Sequence, residues 1–171
     1  MANRHRVPHT GRLIGLVLLW LVCGPHAAVA QALLPQFEVD VVSVKAQGSS
    51  IEPRVDVYTR IPYRNLQFIS RQDRFSAAYS VTATFYLADD EGRRQRLVTY
   101  DSWNHSATAA PFEATQNHQL SAHAVGSVDL WPGRYVLEVT VEDTETDQAF
   151  SSEVPVQVRD FSRAVALSDL L

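Results

Sequence analysis

Several groups of side chains in this 171-residue chain have the types and spacing that chemistry could use. Asp143, Glu145 and Asp147 alternate within one short stretch, and Asp89, Asp90 and Glu91 are consecutive. A hard cation such as Ca²⁺ wants several carboxylate oxygens at close range, so either cluster is a candidate ligand set. Gln148, however, stands where an EF-hand loop needs Gly for its sharp turn, and no bidentate Glu follows at the required spacing. Solvated hairpin tips, without metal, are the expectation at both places. Asp101, Ser102, His105 and Ser106 supply the residue types of nucleophilic catalysis. A triad is built by geometry rather than adjacency, and the chain has no G-x-S-x-G elbow, so no catalytic residue is expected. On a strand His118 and His123 would point to opposite faces and could not share a zinc ion without a bulge. Tyr58, Tyr63, Tyr86, Tyr100, Trp103 and Trp131 could offer a stacking platform to sugar rings. Tyr58, Tyr86 and Trp103 are the candidate contact surface among them; the competing expectation is that aromatics with a polar tip cap the fold or pack under loops. Asn104-His105-Ser106 matches a glycosylation acceptor, which matters only in a eukaryotic secretory route. No cofactor is implied.

The elements that must position these groups are ribbons. In residues 130–143, L-W-P-G-R-Y-V-L-E-V-T-V-E-D, Tyr135, Leu137, Val139 and Val141 fall on one side, with Arg134, Glu138, Thr140 and Glu142 on the other. That period of two marks a half-buried inner strand. Pro132-Gly133 predicts the turn that starts it, Pro presetting φ and Gly accepting a positive φ. Further strands are predicted at 33–46, at 54–61 with Val55, Val57 and Ile61 inward and Tyr58 outward, and at 66–70 after a bend at Pro62. Residues 74–89 give a central strand with Tyr79, Val81, Ala83, Phe85 and Leu87 on one face and Tyr86 on the other. A hairpin at 89–92 leads to a strand over 94–103, then a loop over 104–113. A strand over 116–130 carries a bulge near Gly126, and the last, 148–159, is sent towards an edge by Pro155. No segment has helical period. The expectation is all-β: an antiparallel β-sandwich of about seven to nine strands. The Pro-Gly-x-Tyr start resembles the tyrosine corner of immunoglobulin-like domains, in which a Tyr hydroxyl bonds backbone a few residues upstream.

Residues 1–30 read as a secretory signal. Arg4, Arg6 and Arg12 make a positive start, 13–22 an apolar stretch, and Ala28-Val29-Ala30 a cleavage site before Gln31. That stretch is too short to cross a bilayer core of about 30 Å, so no transmembrane span remains after cleavage. Cys23 offers a rival lipoprotein cleavage, although Val22 before it is larger than such sites prefer. The chain's only Cys leaves with the leader, so the expected domain, 31–160, relies on apolar burial without disulfides. Loss of three Arg from 15 basic residues leaves 12 against 19 acidic ones, a net charge near −7 that argues against nucleic acid or an anionic membrane as partner.

The segments D-V-Y-T-R-I-P-Y-R-N-L-Q-F (56–68), F-S-A-A-Y-S-V-T-A-T-F-Y-L-A-D-D-E-G (75–92), the ribbon 130–143 and A-L-S-D (166–169) together resemble the N-terminal β-domain of bacterial GWxTD-domain-containing proteins. The Gly-Trp-x-Thr-Asp motif itself is absent: Trp103 is followed by Asn-His-Ser and Trp131 by Pro-Gly-Arg. In that family A-L-S-D leads into further domains, so residues 161–171 are expected to be a tail or the start of a missing segment of a truncated or stand-alone relative. The resemblance implies an exported bacterial protein, periplasmic or at the cell surface, and transfers no catalytic residue. The resulting expectation is a non-enzymatic interaction or structural module with an envelope protein as partner. The alternative is a carbohydrate-binding accessory domain that meets a glycan through surface aromatics.

Overall fold

The computed structural model of the chain describes residues 36–45 and 52–162. The leader with Cys23, both ends of the strand predicted over 33–46 and the A-L-S-D segment lie outside the described residues. Eight strands are described: β1 (Glu38–Val44), β2 (Arg54–Pro62), β3 (Ile69–Arg71), β4 (Arg74–Ala88), β5 (Arg94–Ala109), β6 (Ser121–Asp129), β7 (Gly133–Asp143) and β8 (Gln148–Val158). They form two antiparallel sheets, β1-β2-β6 and β5-β4-β7-β8, with short β3 on the same side of β4 as β7. In the lettering of immunoglobulin-like sandwiches these are A-B-E and C′-C-F-G. The all-β sandwich expected from the alternation is the fold.

The faces are those that the period of two assigns. Val55, Val57 and Ile61 on β2, Tyr79, Val81, Ala83 and Phe85 on β4, and Tyr135, Leu137, Val139 and Val141 on β7 are all buried between the sheets. A one-residue slip would turn every one of these to solvent, so burial fixes the register. The tyrosine corner is present: the Tyr135 hydroxyl donates to the Trp131 carbonyl at 2.8 Å, anchoring the crossing from β6 to β7. Pro62 ends β2 and Tyr63–Asn65 makes a 3₁₀ turn. Asp89 and Gly92, at φ +78°, close the β4–β5 hairpin.

Five expectations change. Gly133 has no positive φ; it is the first residue of β7, paired with Val158, and a Cβ there would already touch the Tyr135 ring at 3.4 Å. The strand predicted over 66–70 is displaced to Ile69–Arg71. The loop predicted over 104–113 is strand as far as Ala109, because Asn104 to Ala109 pair with Ser80 to Phe75 of β4. Asn104, Ala107 and Ala109 are of types depleted in strands, so the neighbouring strand decides. A single helical turn, Phe112–Thr115, then leads to β6, which starts at Ser121 rather than 116. Finally, no bulge interrupts β6: Val57 pairs with Gly126 in an unbroken register.

Candidate contact surface

Asp143 is a clamp between loops. It is buried, one carboxylate oxygen accepting the amides of Glu145 (2.9 Å) and Thr146 (3.1 Å) and the other that of Gln67 (2.5 Å). Asp89 similarly accepts the Arg93 amide at 2.7 Å and its guanidinium at 2.8 Å. That amide, more than the guanidinium, holds the Asp89 carboxyl below the usual carboxylate range. Both acidic clusters are thus at hairpin tips, but the first is not solvated throughout as expected, since Asp143 is buried by the amides it accepts; among the described residues no three His, Cys, Asp or Glu side chains converge as a metal site would require.

Ser102 and His105 sit on opposite faces of β5. Ser102 is outward, accepting a bond from Thr82 Oγ1 at 3.0 Å, whereas His105 faces inward, stacked on Tyr79 with ring centroids 5.6 Å apart. Burial pushes the His105 imidazole below its ordinary pKa, and its Nε2 has no hydrogen-bond partner. Asp101 spends one oxygen on the Ser102 amide at 2.8 Å. The three groups do not meet. Nor do the two histidines: His118 lies 3.4 Å from Arg64 in the turn before β6, and His123 is on β6.

The structure distributes the candidate aromatics over three places. Tyr58 is half-buried on the outer face of the three-stranded sheet, between Asp40 and Val125. Tyr86 is outward on the other sheet, covered by the Arg94 guanidinium 4.8 Å above its ring. Arg94 also bonds Glu138 at 3.1 Å and Glu153, bridging β5, β7 and β8. Trp103 faces inward beside Val81, and its ring lies where a Cβ on Gly126 of the opposite sheet would be, 2.3–2.4 Å from three ring atoms. Trp103 therefore wedges the sheets together, and Gly126 makes room for it rather than for a bulge. Tyr58, Tyr86 and Trp103 cannot form one platform.

The feature that the sequence reading passed over is the edge of β5. Among the described residues this strand pairs only with β4, and no strand hydrogen-bonds its other side. Leu97, Val98 and Tyr100 are 50%, 37% and 67% exposed there. The register shifts twice: Thr99 pairs with Phe85 and Leu97 with Tyr86, making Val98 the extra residue of a bulge, and between Tyr86 and Ala88 both Gln95 and Arg96 stand opposite Leu87. The adjacent apolar pair Leu97-Val98, which breaks the alternation, was the available signal. Elsewhere, a cavity of about 340 Å³ at one end of the sandwich is lined mainly by Gln36, Asn65, Gln67, Thr146, Gln148 and Phe150.

No family model and no curated protein matches this chain. Among solved structures, a calcium-binding mutant of Bacteroides uniformis beta-glucuronidase 2 is similar to it over 72% of this chain, at 13% sequence identity and a TM-score of 0.35. The aligned part spans 13% of that enzyme's chain.

Proposed function

We propose that this chain is an exported, non-enzymatic β-sandwich acting as a protein-interaction or structural module of the bacterial envelope. The signal-like residues 1–30 and the resemblance to the β-domain of GWxTD-domain-containing proteins support export. The observation that carries the interaction reading is the open edge of β5 with its exposed Leu97, Val98 and Tyr100. An unpaired edge offers a row of N–H and C=O groups for strand addition. A photo-crosslinking side chain at Tyr100, with Thr140 on the outer face of the same sheet as control, tests this in living cells. Adducts formed from position 100 and not from 140 are expected. No adduct, or equal labelling from both positions, would overturn it, and recovery of the chain in the cytoplasm with its leader intact would overturn export.

A carbohydrate-binding accessory domain is the second reading. The amide-lined cavity favours it, since a few convergent polar groups beside an aromatic suit a polyhydroxylated ligand, and the volume lies at the low end of the roughly 300–1,000 Å³ of ligand sites. Binding of a neutral oligosaccharide panel that is lost on Gln148→Ala and retained on Tyr58→Ala would support it.

A further inference from the structure

We propose that the occupant of the β5 edge is a second copy of this chain, the two β5 strands running antiparallel about a two-fold axis between Val98 and Thr99. The inference deepens the interaction-module reading and rests on it.

The charges along this edge are the starting point. Arg93 is paired with Asp89 and Glu91, and Arg94 with Glu138 and Glu153. Arg96 and Asp101 make no ion pair among the described residues, although both are exposed. Five residues of strand separate them by roughly 16 Å, so they cannot reach each other within one molecule. Across an antiparallel copy with its axis between residues 98 and 99, Arg96 faces Asp101 of the second copy, and the symmetry makes that contact twice.

Facing residues must also share a side of the sheet, and here the bulge matters. On a regular strand positions 97 and 100 point to opposite faces, so such a register would set an outward residue against an inward one. With Val98 inserted, Leu97 pairs with outward Tyr86 and Tyr100 with outward Thr84, placing both on the outer face. Asp101 pairs with inward Ala83, and Arg96, next to outward Leu97 and opposite Leu87 where the register shifts a second time, takes the inner side as well. The self-pair therefore sets Leu97 against Tyr100 outside and Arg96 against Asp101 inside. A contact of so few residues is smaller than the about 1,600 Å² of a standard interface, so the dimer is weak and concentration-dependent.

Sedimentation velocity of the purified chain, from micromolar to hundreds of micromolar concentration, tests this at low salt. A reversible monomer–dimer equilibrium is expected for the unaltered chain. Arg96→Glu and Asp101→Arg should each weaken it about tenfold or more by placing like charges opposite each other. Mixing the two single variants should restore dimers, since each then offers the charge that the other lacks. Both positions are exposed, and circular dichroism checks that the variants fold. A chain that stays monomeric throughout, a dimer indifferent to both reversals, or a mixture that fails to re-associate overturns the inference. A monomer that still gives adducts from position 100 leaves the module reading standing and puts a different protein on the edge.

Discussion

Replacing Gly126 by Ala should destabilise the domain, and the sign of the effect is itself diagnostic. Gly92 alone of the described glycines has a positive φ, so the backbone at 126 accepts an L-residue. In open space Gly→Ala would stabilise by about 0.4–1 kcal/mol, through the reduced freedom of the unfolded chain. Here the new methyl stands 2.3 Å from Cε3 and Cζ3 of Trp103 and 2.4 Å from Cη2. Non-bonded carbons settle at about 3.5–4.0 Å, so the indole must retreat by roughly 1 Å or more. Overpacking of this kind costs about 1–3 kcal/mol, bounded above by the about 3–5 kcal/mol of deleting a well-buried Trp altogether. Trp103 is half-buried, which lowers that ceiling. The clash wins, and the expected net loss is about 1–2 kcal/mol. With a urea slope of about 1–3 kcal/mol/M, the unfolding midpoint read by circular dichroism should fall by roughly 0.3–2 M. In a Trp103→Ala background the same substitution should become neutral or stabilising, because the methyl then enters vacated space. A midpoint that rises in the otherwise unaltered chain, or an equal loss in both backgrounds, would refute the wedge.

Three further outcomes are expected. His105 has a lowered pKa through burial, so between that lowered value and the ordinary value near 6.5 the unfolded chain binds the proton more readily; stability should fall as pH drops through this window. His105→Phe keeps a ring on Tyr79 and should remove that part of the pH dependence, so urea midpoints of the two chains that run parallel from pH 7.5 to 5 would contradict it. Tyr135→Phe deletes the corner hydrogen bond and should cost about 0.5–1.5 kcal/mol with the fold retained, read from the same unfolding curves. Asp143→Ala strands the amides of Gln67 and Glu145, while Thr146 keeps a 3.4 Å bond to the carbonyl of residue 143, and should cost about 1–3 kcal/mol, with hydrogen exchange accelerating at Gln67 and Glu145; protection unchanged at Gln67 would show that the clamp is not made.

How far the sequence could be read depended on whether the deciding partner was near along the chain. The inward sets of β2, β4 and β7 were legible because one-sided burial imposes alternation on each strand by itself. The tyrosine corner was legible because Trp131 and Tyr135 are four residues apart. The strand after Trp103 was not, since Ser, Ala and Thr at 106–109 take their conformation from β4. Gly126 was ambiguous for a related reason: Gly inside a strand signals either a bulge or a close approach, and the approaching Trp103 is remote in sequence. The candidate surface suffered most, because outward placement of Tyr58 and Tyr86 says nothing about which sheet each one faces away from.

Sheet β1-β2-β6 carries a consequence for biosynthesis. Pro62 pairs with Ser121 and Arg54 with Asp129, so β2 cannot complete its hydrogen bonding until a strand some sixty or more positions downstream has left the ribosome. At about 5–20 residues per second that leaves a nascent apolar hairpin half-finished for roughly 3–15 s. Over that interval the growing polypeptide would be vulnerable to cross-pairing with neighbouring nascent chains, and a holding chaperone would find its substrate in Val55 to Ile61.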